Sequence, residues 1–168
     1  MKTFVVCWLL LCAGFTNAQS ISLAAGRSFP STDHLSLRYE HWTNGAFNLS
    51  LGALYERSHE RLLNYRCYGA DLLSEYASNR EGYTGGPFGI RYGLGMTAML
   101  DSEPWLNKDL SWGKRLSYGL LSELGLEWFM SEQFTCRLGL QQKALFRSAM
   151  GHYRFLVDLG LAWRLNNN

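Results

Sequence analysis

Phe88-Gly89-Ile90-Arg91-Tyr92-Gly93-Leu94-Gly95-Met96-Thr97-Ala98-Met99-Leu100 is the stretch that decides the fold of this chain. Every even-numbered position is apolar, while the odd positions hold three glycines, an arginine, a threonine and one methionine. A period of two belongs to an extended strand, whose successive side chains point to opposite faces. The stretch is also longer than the roughly 9 to 11 residues that a tilted strand needs to cross a bilayer.

The alternation continues in both directions. Toward the N-terminus the apolar parity runs Leu35, Leu37, Tyr39; then Phe47, Leu49, Leu51, Ala53, Tyr55; then Tyr68, Ala70, Leu72, Tyr76. Toward the C-terminus it runs Leu116, Tyr118, Leu120, Leu124, Leu126, Trp128; then Phe134, Cys136, Leu138, Leu140, Ala144, Phe146; then Phe155, Val157, Leu159, Leu161, Trp163, Leu165. A weaker first segment, Ile21, Leu23 and Ala25, brings the count to eight. Charges check the parity, which rests on the apolar residues alone. Arg38, Glu40, Glu56, Asp71, Glu75, Arg91, Glu123, Glu127, Arg137, Lys143, Arg147, Asp158 and Arg164 all fall on the other face, together with most of the strand glycines. Leu116, Leu120, Leu121 and Leu124 would also fit a helical stripe, but Gly119 and Gly125 disfavour a helix there.

A soluble sandwich would bury the apolar parity, whereas a membrane barrel turns it to lipid and points charges and glycines into a narrow lumen. Segment length and the aromatics near segment ends, such as Tyr39, Tyr76, Phe88, Trp128 and Trp163, favour the second arrangement. The expected fold is all-β, an eight-stranded antiparallel up-and-down transmembrane β-barrel. Seven acids and six bases would then face one another in the lumen, and near-balanced ion pairing makes them a structural charge network. An acid on the lipid parity, Leu138→Asp or Leu159→Asp, is expected to block insertion more than Gly139→Asp on the lumen parity.

Residues 1–18 read as a secretory signal: Lys2 supplies the basic start, residues 4–15 the apolar run, and Thr16-Asn17-Ala18 the small-residue cleavage site. The run is too short for a membrane helix of about 20 residues. Residues 19–168 form one barrel domain, exported to the outer membrane. Sixteen Lys and Arg against 14 Asp and Glu call for no nucleic-acid partner. Cys7 and Cys12 leave with the signal, and Cys67 and Cys136, on opposite faces of non-adjacent strands, read as packing residues.

Tight-turn residues at Thr43-Asn44-Gly45 and Met130-Ser131-Glu132, with the longer 78–87, connect strands on the side of the termini. On the opposite side lie 30–33, 58–65, 101–115 and 148–152. The longest, 101–115, carries Trp105, Lys108 and Trp112 as candidates for an exposed recognition loop. Chemistry-bearing motifs are sparse. His59-Glu60 lacks the second histidine of a zinc helix, and no Cys-x-x-Cys occurs. The glycines from Gly93 lie inside a strand instead of opening a helix, so no nucleotide cofactor is expected. Ser148 and His152 share one loop as a fragment of a hydrolase site, and no nucleophile elbow occurs. No catalytic, cofactor-binding or metal residues are assigned, and the protein reads as non-enzymatic.

Leu116-Ser117-Tyr118-Gly119, Glu127-Trp128-Phe129-Met130-Ser131-Glu132-Gln133-Phe134 and Asp158-Leu159-Gly160-Leu161-Ala162-Trp163-Arg164-Leu165 resemble the TraO family of conjugative transposon proteins. The resemblance implies an outer-membrane component of a conjugative DNA-transfer apparatus. Its partners would be outer-membrane lipid and other envelope proteins of that apparatus, with no direct nucleic-acid binding. It carries over no functional residues. Alternatives are a surface barrel for adhesion or envelope protection, an outer-membrane lipid-modifying enzyme using Ser148 and His152, and a soluble ligand-binding barrel.

Overall fold

The computed structural model describes residues 20–29, 32–42, 47–58, 65–79, 86–102, 114–148 and 151–165. They form eight strands: β1 Ser20–Phe29, β2 Thr32–Trp42, β3 Phe47–Ser58, β4 Arg66–Ala77, β5 Phe88–Ser102, β6 Lys114–Phe129, β7 Phe134–Phe146 and β8 Tyr153–Arg164. Each pairs antiparallel with the next, and β8 closes on β1 with Ser20 opposite Arg164 and Phe29 opposite Phe155. The barrel therefore has a terminal end, where β1 begins and β8 finishes, and a loop end reached by the β1–β2, β3–β4, β5–β6 and β7–β8 connections. The proposed signal, 1–18, and the Thr43-Asn44-Gly45 turn lie outside the described residues.

The two parities part as the alternation requires. On β5, Leu94 on the outside is 71% exposed, whereas Arg91 on the inside is 2% exposed. Outward leucines, tyrosines and tryptophans cover the barrel, and serines, acids and bases fill it. This is a protein with its polar groups in the core and its apolar groups outside, the inverse of a soluble barrel. Closure leaves no strand edge, so each strand's backbone groups can pair with a neighbour, as a hydrocarbon surrounding demands. The sequence 116–124, which also fits a helical stripe, lies in β6.

Tight curvature is carried by glycine. A Cβ at Gly95 would lie 2.0 Å from the carbonyl oxygen of Leu72, and one at Gly119 would lie 1.9 Å from that of Ala144. No side chain fits at those inner positions, because the neighbouring backbone occupies the space. β1, faint in the sequence, is a full strand whose inward positions include Ser20, Ser22 and Ser28. Small polar residues gave it no charge contrast to read.

Two boundaries and one lumen residue differ from expectation. β5 runs on to Ser102, so Asp101 is a lumen residue, fully buried, instead of the first residue of a loop. β8 begins at Tyr153, as the end of the 148–152 connection implies, but Arg154, which the expected network omits, lies inside the barrel, 3% exposed. Arg147, expected in the lumen, falls after the end of β7, is exposed and has a φ of 58°. That left-handed kink breaks the alternation one residue after Phe146, so parity no longer dictates where the side chain points.

Candidate functional site

The lumen holds the densest set of polar side chains in the described structure. Its inner-parity residues come from all eight strands because each strand contributes every second position. Nearest the terminal end, Glu40 accepts from Ser20 Oγ at 2.7 Å, from Arg91 Nη1 at 2.7 Å and from Arg137 Nη2 at 2.9 Å. Glu127 accepts from Arg91 Nη2 at 2.6 Å and lies 2.9 Å from Arg137 Nε. Arg91 also donates to Glu75 Oε2 at 2.9 Å, so one guanidinium, 2% exposed in its side chain, bridges three carboxylates from three strands.

Above this layer Arg38 makes a two-pronged contact with Glu123, Nη1 to Oε1 at 2.8 Å and Nη2 to Oε2 at 2.7 Å. It also donates to Glu75 at 3.0 Å, joining the two layers. Paired N–H groups matched to paired oxygens are the strongest geometry that a guanidinium offers. Lys143 holds both oxygens of Asp71, at 3.3 and 3.0 Å, and Gln141 donates to Asp158 at 3.1 Å.

The loop end has its own cluster, centred on Arg154 and Asp101, whose parity pointed inward but which the expected charge network left out. Arg154 donates to Glu56 at 2.7 Å, to both oxygens of Asp101 at 3.3 Å and to Ser148 Oγ at 2.9 Å. Ser117 and Tyr65 donate to Asp101, the latter at 2.7 Å, and Arg154 sits 5.3 Å from the centre of the Tyr65 ring. Burial pushes the Tyr65 phenol far above its ordinary range, so this hydroxyl remains a donor. His34, 4% exposed, has Nδ1 3.4 Å from Glu56. Continuing the parity of Asp158 back to Arg154, of Arg91 forward to Asp101, and of Arg38 back to His34 would have found all three.

Of the thirteen expected network residues, all except Arg147 lie on the inward face; Arg137 and Arg164 are its half-buried members near the terminal mouth. The space enclosed by Arg38, Arg91, Glu123, Arg137 and Asp158 amounts to about 30 Å³, room for one or two waters. Side chains thus fill the barrel at this level. Pairing in such a network is cooperative: we expect a double-mutant cycle on Arg38→Met and Glu123→Met to show a coupling of about 1–3 kcal/mol. Urea titration of the protein folded into vesicles measures it, and strict additivity would mean that the two side chains act independently.

The other candidates are dispersed. Trp105, Lys108, Trp112 and His59 lie outside the described residues. Ser148 donates to Asp101 at 3.3 Å while accepting from Arg154, and His152 Nδ1 lies 3.1 Å from the Leu145 carbonyl oxygen. The Ser148 hydroxyl is therefore engaged by the loop-end ion pairs. Cys67 faces the lumen from β4 and Cys136 the outside from β7, and both are free thiols. Among the described residues no three His, Cys, Asp or Glu side chains gather as a metal site.

An inside-out barrel of eight up-and-down strands with a filled lumen invites comparison with solved folds. The chain has the fold of the small outer-membrane barrels. It is similar to the N-terminal β-barrel domain of Pseudomonas aeruginosa OprF, with a TM-score of 0.69 at 16% identity over 89% of this chain and 98% of that one. It is also similar to Ail, the attachment invasion locus protein of Yersinia pestis, crystallised with the heparin analogue sucrose octasulfate, with a TM-score of 0.56 at 13% identity over 88% and 97%. The outer membrane enzyme PagL matches with a TM-score of 0.56 at 11% identity over 87% and 99%. No protein-family model and no curated protein matches the sequence. At such identities the likeness speaks for architecture, since one barrel serves an attachment invasion locus protein and an enzyme alike.

Proposed function

We propose that this protein is exported by residues 1–18 to the outer membrane, where it serves as a non-enzymatic component of a conjugative DNA-transfer apparatus. The ion-paired lumen carries the reading: the space beside Arg38, Arg91 and Arg137 holds one or two waters, which suits the barrel to anchoring and docking, not to conducting. DNA does not fit, because eight strands enclose only enough space for side chains. The action then lies at the rims and loops, where other envelope proteins of the apparatus would bind, with the terminal end in the periplasm. The stretches 116–119, 127–134 and 158–165, which resemble the TraO family, supply the link to conjugation.

Deleting the gene from a donor strain is expected to lower conjugative transfer frequency at least tenfold, with recovery when the full chain is supplied in trans. Transfer at the wild-type frequency in the deletion strain, with the protein confirmed in the outer membrane of its parent, would overturn the conjugation reading and leave adhesion or envelope protection in its place.

A further inference from the structure

The outward face of the loop end carries a row of charges that neither the lumen nor the conjugation reading uses. The strand registers set Arg27 opposite Asp33, Asp33 opposite Arg57, and Arg57 opposite Arg66, so four consecutive strands present these residues at one height. All four lie on the apolar parity and are exposed. Arg27 and Asp33 are 3.7 Å apart, with side chains 70% and 56% exposed. Arg57 and Arg66 are like charges directly opposite each other, an arrangement that disfavours the pair unless an anion lies between them. No carboxylate among the described residues forms an ion pair with either.

One step toward the middle of the barrel, the same registers line up Ala25, Leu35, Tyr55 and Tyr68, with the two tyrosine rings 5.1 Å apart. Tyrosines under arginines mark the level where hydrocarbon gives way to headgroups. At the terminal end the outward positions are aromatic, including Phe47, Tyr76, Phe88, Trp128 and Trp163, and no Lys or Arg among the described residues faces outward there. The basic rim is thus confined to one leaflet.

We propose that the Arg27–Asp33–Arg57–Arg66 row binds phosphomonoester headgroups of the lipid in the leaflet at the loop end, with Arg57 and Arg66 clamping one phosphate. Two adjacent guanidinium forks match the oxygens of a phosphate, and a monoester offers more charge than a diester. Asp33 keeps Arg27 in register and limits the row to lipids that supply enough negative charge. The inference rests on the outer face being lipid-exposed, and the experiment separates the two.

The full chain, folded in neutral detergent and checked by its migration with and without boiling, is titrated with fluorescent diphosphoryl lipid A. The same titration uses the dephosphorylated glycolipid, and inorganic phosphate serves as competitor. The wild type should bind the phosphorylated lipid. The Arg57→Gln/Arg66→Gln double variant should bind it about 25-fold more weakly, about fivefold for each arginine near an anionic headgroup layer. These substitutions lie on the exposed outer rim and outside the lumen network, so the variant should retain the heat-dependent shift that shows a folded barrel. Equal binding of the phosphorylated and dephosphorylated lipid, or equal binding by the variant, overturns the site. Competition by inorganic phosphate at equimolar concentration overturns the lipid as its source. A chain that stays soluble without detergent overturns the lipid-exposed face itself.

Discussion

Arg91→Met is expected to destabilise the folded barrel by about 3–5 kcal/mol, the range found when one partner of a buried ion cluster is removed. Arg91 donates to Glu40, Glu75 and Glu127 from a position with almost no exposure. Without it Glu40 and Glu127 keep Arg137, but Glu75 is left with Arg38 alone. Four carboxylates then share two guanidinium groups, and the small cavity beside them has room for one or two waters at most to solvate the excess negative charge. The methionine stem is long enough to fill much of the vacated space, so the loss is electrostatic more than steric. Urea titration in vesicles, followed by tryptophan emission, measures the effect. Adding Glu75→Gln should recover part of the loss, because it removes the carboxylate that the first substitution strands. An unchanged midpoint for Arg91→Met would show that the network contributes nothing to the fold.

Leu138→Arg tests the other face. Leu138 sits on the outer surface of β7, opposite Leu126 on one side and Leu159 on the other, well inside the apolar belt. A guanidinium near the bilayer midplane of a barrel costs about 2–4 kcal/mol. Folding into vesicles should weaken by that amount, while the protein in detergent micelles should be affected less. Equal stability of Leu138→Arg and wild type in vesicles would remove the case for lipid on this face. The lumen control needs the tertiary structure to choose it. Gly139 shares the inward parity, yet its Cβ would lie 2.2 Å from Asp158 Oδ1, so Gly139→Asp would press a second carboxylate onto the first. Gly125 has no heavy atom closer than 3.6 Å to its ideal Cβ and lines the small cavity beside Arg38, Arg91 and Arg137, so Gly125→Asp is the better comparison.

Much of this was legible in the residues. Alternation across 88–100 announced a strand, and charge segregation through the other segments announced a two-faced sheet. Lengths beyond what a soluble strand needs turned the apolar face outward. Parity placed Glu40, Asp71, Arg91 and Lys143 in the lumen without any knowledge of which strands touch. It failed at element ends. Arg147 keeps the right spacing but follows a left-handed kink. Asp101 and Arg154 lie on the correct parity, one or two residues beyond where the apolar pattern thins. End residues are hard to read because alternation needs neighbours on both sides, and the rims of a barrel exchange lipid for headgroups, so the hydrophobic contrast fades.

Sequence by itself determined the strand count, the face of the side chains within the body of each strand and the inside-out character of the barrel, since all three follow from a period of two and the polarity of single residues. Tertiary structure alone decided who pairs with whom. Arg38 meets Glu123 from 85 positions away, and Arg154 meets Glu56 from 98. Likewise Arg27, Asp33, Arg57 and Arg66 form one row only through the hydrogen-bond registers of three strand pairs. Periodicity is a local property of the chain, whereas height along a barrel is set by closure and register, which no local pattern encodes.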